Sequence, residues 1–106
     1  MNYRNTMSAT IAVNDATSNV VDLLGWHGVS VQLPASAGKF ASTPSFTLVG
    51  SGSETGLVPI VVDSTSGLAE GKIVPLVGDV AWPRYVAIAS DKTAQVAYTA
   101  TLHVVD

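Results

Sequence analysis

The chain has 106 residues, of which 47% are hydrophobic and 12% are charged, with five basic residues, eight acidic residues and no cysteine. This length fits one domain of roughly 100–150 residues, and the lack of cysteine excludes disulfides, thiolate zinc sites and cysteine nucleophiles. A net charge of −3 with scattered basic residues leaves no positive stripe for nucleic acid. No apolar run approaches the roughly 20 residues that span a bilayer, so we expect neither nucleic acid nor a membrane as a partner.

The composition favours strands over helices. Ser, Thr, Ala, Val and Gly dominate, whereas the strong helix formers Glu, Lys, Gln and Arg are scarce. The charged fraction is also well below the roughly 25% typical of soluble domains. Because net charge helps to keep a protein monomeric, this composition favours a subunit packed against neighbours over an isolated monomer with a neutral surface.

Apolar and polar residues alternate along most of the chain, as expected for half-buried strands. The first run ends at Asn14-Asp15, the second at Gly25 and the third at Pro34. A later run looks buried on both faces, but its Pro59 cannot donate to a ladder and indicates an edge or a bulge. The predicted strands cover residues 9–13, 20–24, 29–33, 44–49, 57–62, 73–77, 82–89 and 94–105.

The last predicted strand has the clearest alternation. His103 falls on its more polar face, and the opposite face is formed by Ala94, Val96, Tyr98, Ala100, Leu102 and Val104. About eight strands at spacings of about ten residues need two stacked sheets to bury their apolar faces. We therefore predict an all-β fold, a two-sheet β-sandwich of about eight antiparallel strands. An immunoglobulin-like sandwich is disfavoured by the positions of Trp26 and Trp82.

The domain prediction separates residues 1–7, an N-terminal arm, from a single sandwich domain over residues 8–106. The arm is polar and holds too little apolar surface to order itself. We expect it to reach a neighbouring subunit, with Tyr3 as the anchor and Arg4 pairing with a carboxylate. Removal of the arm should then leave the sandwich folded.

No motif indicates catalysis, a cofactor or a metal. The glycine-rich stretch at residues 50–56 has Thr55 where a dinucleotide fingerprint needs glycine, and the next segment is a strand, so it is predicted to be a hairpin or inter-sheet loop. His27 and His103 have no neighbouring ligands at metal-site spacing. Serines lie outside a nucleophile-elbow motif, and the carboxylates are spread singly. We therefore predict that the protein is not an enzyme.

The segment around residues 82–86 is the most distinctive locally. Pro83 biases Trp82 toward an extended conformation, and alternation then places Arg84 and Tyr85 on opposite sheet faces. An exposed Arg flanked by aromatic residues is typical of an interface hot spot, although Trp82 itself suits a core anchor. The predicted contact residues are Tyr3, Arg4, Trp26, His27 and Arg84.

In order along the chain, several segments resemble those of small virion proteins from tailed bacteriophages, which include capsid cement or decoration proteins. The resemblance runs from about Asp22 to the C-terminus, and the turn after Gly50 departs from the usual pattern. The matching segments are Asp22-Leu23-Leu24-Gly25, Val29-Ser30-Val31-Gln32-Leu33-Pro34-Ala35, residues 46–52, residues 84–90, Ala94-Gln95-Val96-Ala97 and Thr101-Leu102-His103-Val104-Val105.

This resemblance implies a jelly-roll-like protein, made in the host bacterial cytoplasm, that binds the exterior of the capsid. Its partners would be the major capsid protein, whose subunit contacts it reinforces, and other copies of itself in a dimer or trimer. No cofactor is implied. The alternative is a receptor- or glycan-binding module of a phage tail or head fibre. Its sugar platform would need exposed aromatic rings, for which the candidates are Trp26, Trp82, Tyr85 and Tyr98.

Overall fold

The computed structural model describes residues 4–23, 27–59, 71–76 and 83–105. These residues form eight strands and no helix, which confirms the all-β prediction. The described part of the chain accordingly holds no helix with the length and hydropathy needed to cross a membrane. The strands are β1 (Arg4–Ile11), β2 (Val21–Asp22), β3 (His27–Leu33), β4 (Phe46–Ser51), β5 (Val58–Pro59), β6 (Lys72–Leu76), β7 (Tyr85–Ser90) and β8 (Tyr98–Val105).

The strands form two antiparallel sheets of four strands each within the described residues. The first sheet has the order β1-β8-β3-β6, and the second has the order β2-β7-β4-β5. The pairings nest along the chain: β1 pairs with β8, β2 with β7, β3 with β6 and β4 with β5. The chain is thus one long antiparallel ribbon that is rolled into two sheets. This is the jelly-roll arrangement, and it confirms the predicted fold.

The core lies between the sheets and is built from the alternating apolar residues. At its centre the ring of Tyr98 stacks on that of Phe46, with centroids 5.0 Å apart, and Phe40 meets both rings edge-on. The Tyr98 hydroxyl donates a hydrogen bond to the Pro34 carbonyl at 2.5 Å. The remaining buried cluster consists of Ala9, Ile11, Val21, Leu23, Val31, Leu33, Leu48, Val86, Ile88, Ala94, Ala100, Leu102 and Val104.

The predicted last strand has the right faces but begins later than expected. Its buried face from Tyr98 onward is confirmed, and His103 lies on the opposite face. The predicted start at Ala94 is wrong, because the N–H groups of residues 95 and 96 both bind the Lys39 carbonyl and turn the chain. Ala94 is still buried in an isolated bridge to Phe40, whereas Val96 is 47% exposed.

The predicted arm boundary is wrong for residues 4–7, which belong to the first sheet. Strand β1 begins at Arg4, which lies opposite Val105 of β8. Met7 packs against the core, so this polar segment holds one inward apolar side chain and gains ladder hydrogen bonds from β8. Residues 1–3 lie outside the described residues.

Among the described strands, β5 pairs only with β4 and therefore forms one edge of the second sheet. The edge position indicated by Pro59 is therefore confirmed. The expectation of burial on both faces is wrong, because Val58 is 60% exposed. The glycine-rich stretch before β5 closes a hairpin with β4, one of the two loop types expected for it.

Candidate functional site

The connections between strands gather at two opposite ends of the sandwich. Residues 12–20, 34–45 and 91–97 join strands at one end, which we call the Lys39 end. The other end holds the starts of β1, β3 and β7 and the ends of β2 and β8. We call it the Arg84 end.

Three predicted contact residues lie at the Arg84 end. Arg4 of β1 and His27 of β3 are both in register with Val105 of β8, so they flank the same position of the first sheet. Arg84 immediately precedes β7 in the second sheet. Tyr3 and Trp26 lie outside the described residues, although each is the chain neighbour of a residue at this end.

Arg84 is fixed by a two-point ion pair. Its Nε and Nη2 atoms donate to Oδ1 and Oδ2 of Asp22, each at 3.0 Å. The pairing of β2 with β7 creates this geometry, since Asp22 is in register with Tyr85 and the Leu23 N–H donates to the Arg84 carbonyl. The side chains of Arg84 and Asp22 are 56% and 32% exposed, so the ion pair faces solvent. The hydrogen bond to Asp22, helped by its negative charge, raises the pKa of the Arg84 guanidinium.

Arg84 also lies over the ring of Tyr85, with the guanidinium carbon 5.1 Å from the ring centroid. The predicted placement of these two residues on opposite faces is therefore wrong. Arg84 lies in a bend before the strand begins, where strand alternation does not apply. The two contacts hold a planar cation in one orientation at the surface, an arrangement that suits bidentate recognition of a partner.

The outer face of the first sheet is polar and lightly charged. The Oγ1 atoms of Thr10 and Thr99 are 2.9 Å apart, and Nε2 of His103 lies 2.9 Å from Oε1 of Gln32. Small hydroxyl side chains fill the positions between these pairs. This face donates and accepts hydrogen bonds with few fixed charges to desolvate. We call it the hydroxyl face; its members are Thr6, Ser8, Thr10, Ser30, Gln32, Thr99, Thr101 and His103.

At the Lys39 end, backbone groups of neighbouring loops bind one another. The Asn14 N–H donates to the Ala94 carbonyl and the Ala94 N–H to the Asp15 carbonyl, each at 2.8 Å. Asn14 has a φ of 71°, a left-handed conformation that asparagine tolerates. The Lys39 carbonyl accepts the N–H groups of residues 95 and 96 at 2.7 and 3.2 Å. These main-chain hydrogen bonds therefore join the loops of this end without side-chain charges.

A carboxylate completes the same network. Oδ1 of Asp91 accepts the Ser45 N–H at 2.7 Å, and the Asp91 N–H donates to the Ser45 carbonyl at 3.1 Å. The hydrogen bond from Ser45, and to a lesser extent the charge of Lys92 at 3.5 Å, lowers the pKa of Asp91. This carboxylate has a structural role that joins two loops.

Two side-chain contacts, one at the Arg84 end and one on the hydroxyl face, could not be anticipated from the sequence. Asp22 and Arg84 are 62 positions apart, and Gln32 and His103 are 71 apart. No local spacing signals either pair, because both depend on which strands become neighbours.

Among the described residues, no group of three or more His, Cys, Asp or Glu side chains could hold a metal ion. Comparisons with protein-family models, curated proteins and solved structures found no match to this chain.

Proposed function

We propose that this protein is a non-enzymatic structural protein of a tailed-bacteriophage virion, which binds the outer capsid surface and cements contacts between major capsid subunits. The sequence pattern from Asp22 onward supports this proposal, and so does the jelly-roll strand order, which recurs in viral capsid domains. The observation that carries it is the surface that the fold presents. The hydroxyl face adjoins the Arg84 end, where strands β1 and β3 begin at Arg4 and His27 and where the exposed guanidinium of Arg84 is held by Asp22.

Such a surface suits attachment to a large preformed body. Hydroxyl and amide groups can exchange water for partner hydrogen bonds at lower desolvation cost than charged groups. A stable contact of this kind buries about 1,200–2,000 Å² in total. Cementing follows if one molecule touches two capsid subunits, because each contact raises the effective concentration at the other.

Three described polar side chains of types used in catalysis have structural partners. Asp22 binds Arg84, and Asp91 binds the Ser45 N–H. The hydroxyl of Ser18 accepts the Ile88 N–H. These contacts give the three side chains structural roles. In the proposed function the protein acts through its surface without a cofactor, on the capsid exterior, with the major capsid protein as partner.

The proposal is tested by co-sedimentation with capsids of the phage that carries this gene, stripped of the protein, and with tails from the same particles. The full chain should sediment with capsids and not with tails. Arg84→Ala should weaken this binding, because it removes the fixed guanidinium at the Arg84 end. Lys92→Ala is the matched control, since Lys92 is also an exposed cation paired with a carboxylate but lies at the Lys39 end. Failure to bind capsids, or equal loss in both variants, would contradict the proposal.

Binding to tails or fibres instead would support the receptor- or glycan-binding alternative. That alternative has lost one of its candidate aromatic rings, because Tyr98 is fully buried in the core. Tyr85 is partly exposed, but its ring is covered by the Arg84 guanidinium. Trp26 and Trp82 lie outside the described residues.

A further inference from the structure

The four sheet edges are protected to different degrees. Edge strands with unpaired backbone groups invite pairing with another chain, and proteins usually shorten them or place proline or lysine there. In the second sheet, the edge strands β2 and β5 have two residues each, and β5 includes Pro59. In the first sheet, β6 includes Lys72 and Pro75. The remaining edge, β1, has eight residues and no proline.

Half of the β1 edge is capped within the molecule. Asn19 accepts the Thr10 N–H through Oδ1 at 2.8 Å and donates its own N–H to the Thr10 carbonyl at 3.2 Å. Its Nδ2 also reaches the Ser8 carbonyl at 3.5 Å. Because backbone groups of alternate residues point to opposite sides of a strand, the even-numbered residues of β1, including Arg4 and Thr6, direct their N–H and C=O groups away from β8.

The other half of the edge is open. The Thr6 N–H has a local acceptor, Oδ1 of Asn5, at 2.9 Å. Within the ranges that the structure describes, the Thr6 carbonyl and the Ser8 N–H face outward without a hydrogen-bond partner. The side chains of residues 5, 6 and 8 are exposed. We call the outer side of residues 4–8 the free edge.

We propose that the free edge pairs antiparallel with the free edge of a second copy of this chain, so that two first sheets join into one continuous sheet. A two-fold axis makes such an interface self-complementary, because each outward donor meets an acceptor from the same segment. The hydroxyl faces of the two copies then form one larger surface, since Thr6 and Ser8 belong to both the face and the edge. The occupant is a second copy because the outward backbone donors and acceptors of this segment are complementary to those of the same segment run antiparallel.

Charge and hydrogen bonding select the register. Pairing of Thr6 with Thr6 of the other copy places Arg4 opposite Ser8, and each Ser8 N–H then donates to an Arg4 carbonyl. A register centred on Arg4 would put two like charges directly opposite, which is unfavourable. The Thr6-centred register keeps the one charged residue of the segment away from its copy.

Sedimentation velocity of the purified chain over a concentration series tests the pairing without any capsid. A reversible monomer–dimer equilibrium is expected. Thr6→Pro removes an outward N–H and leaves the ladder to β8 intact, so it should keep the circular dichroism spectrum and weaken dimerisation by about tenfold or more. Thr6→Ala, which keeps the backbone donor, should still dimerise. A chain that stays monomeric at every concentration, or a folded Thr6→Pro protein that dimerises normally, overturns the proposal.

Single cysteines test the register, because the chain has no cysteine of its own. Opposite Cα atoms of a hydrogen-bonded pair lie about 5.5 Å apart, within the range that a disulfide spans. Thr6→Cys should therefore form a covalent dimer under mild oxidation, whereas Ser8→Cys should not. Thr101→Cys, on the same face but in the central strand β8, is the control. Equal cross-linking of Thr6→Cys and Ser8→Cys overturns the register. A dimer that forms without capsid binding would contradict the proposed function alone, and capsid binding by a monomer would contradict this inference alone.

Discussion

The two ends of the sandwich are held by different kinds of interaction. At the Lys39 end, backbone groups of three connections bind one another, with Ala94 linked to Asn14 and Asp15 and the Lys39 carbonyl accepting two N–H groups. At the Arg84 end, the exposed ion pair between Arg84 and Asp22 links the side chains of β2 and the residue before β7. The Lys39 end is held mainly by main-chain hydrogen bonds, with the Asp91 carboxylate as an added acceptor, whereas the Arg84 end presents a two-point ion pair to solvent.

This difference suggests that the Lys39 end contributes to the stability of the fold and that the Arg84 end serves recognition of a partner. Backbone hydrogen bonds do not titrate in the physiological range and are little affected by salt, whereas exposed ion pairs are screened and contribute little to the free energy of unfolding. An oriented arginine at a surface is nevertheless a common anchor for a partner. We therefore expect substitutions at the Lys39 end to lower stability, and Arg84→Ala to affect binding more than stability.

The largest loss of stability is expected for Ser18→Ala, in the β1–β2 connection. Ser18 is buried, and its Oγ accepts the Ile88 N–H at 2.9 Å, while its own N–H donates to the Ile88 carbonyl at 2.8 Å. Alanine leaves a buried N–H of strand β7 without a partner. This should cost about 1–3 kcal/mol, measured as the change in the free energy of unfolding in urea.

Two comparisons sharpen that measurement. Ser18→Thr keeps the hydroxyl and should recover most of the loss. Arg84→Ala, at the opposite end, should change the free energy of unfolding less than Ser18→Ala does. If Arg84→Ala proved the more destabilising of the two, the division between a structural end and a recognition end would be wrong.

The sequence predicted the number of strands and the core faces because these depend on local alternation. The eight strands, the buried face of β8 and the edge position of Pro59 all follow from side-chain periodicity and proline chemistry. The order of the strands within each sheet does not follow from alternation, because it depends on pairing between distant segments. The start of β1 was missed because Met7 is its one inward apolar residue before Ala9, and its other early residues are polar. Strand pairing, not hydrophobic pattern, places residues 4–7 in the sheet.

The candidate site was less accessible to sequence reasoning. Arg84 could be singled out from its neighbours, but its partner Asp22 becomes adjacent only when β2 pairs with β7. The same is true of Arg4 and His27, whose strands flank Val105 on opposite sides through two separate pairings. Contacts across a sheet are set by register, which a single sequence does not encode in any local spacing.

An intermediate effect is expected for Asn19→Ala, which uncaps the protected half of strand β1. The Thr10 N–H loses its acceptor, which should lower the free energy of unfolding by about 0.5–1.5 kcal/mol. Asn19→Asp keeps an acceptor oxygen at this position and loses the long contact to the Ser8 carbonyl, so it should be closer to the unmodified chain. Thermal unfolding of the three proteins gives the order. If Asn19→Ala and Asn19→Asp destabilised equally, the cap would not work through the Thr10 N–H.

The smallest effect is expected from Asp91, the one titratable contact described within the network of the Lys39 end. Its pKa in the folded chain lies below the ordinary value, chiefly because it accepts the Ser45 N–H and secondarily because of Lys92. The carboxylate therefore stabilises the fold fully above the ordinary pKa of an aspartate, and this contribution is lost as the pH falls through the lowered pKa. Asp91→Asn keeps an acceptor for Ser45 but cannot titrate, so its unfolding free energy should fall less steeply in acid than that of the unmodified chain. Lys92→Ala should retain most of the steepness, because the backbone hydrogen bond is the larger cause. Parallel acid profiles for the unmodified chain and Asp91→Asn would contradict this prediction, because they would show that the Ser45 contact does not depend on the charge of Asp91.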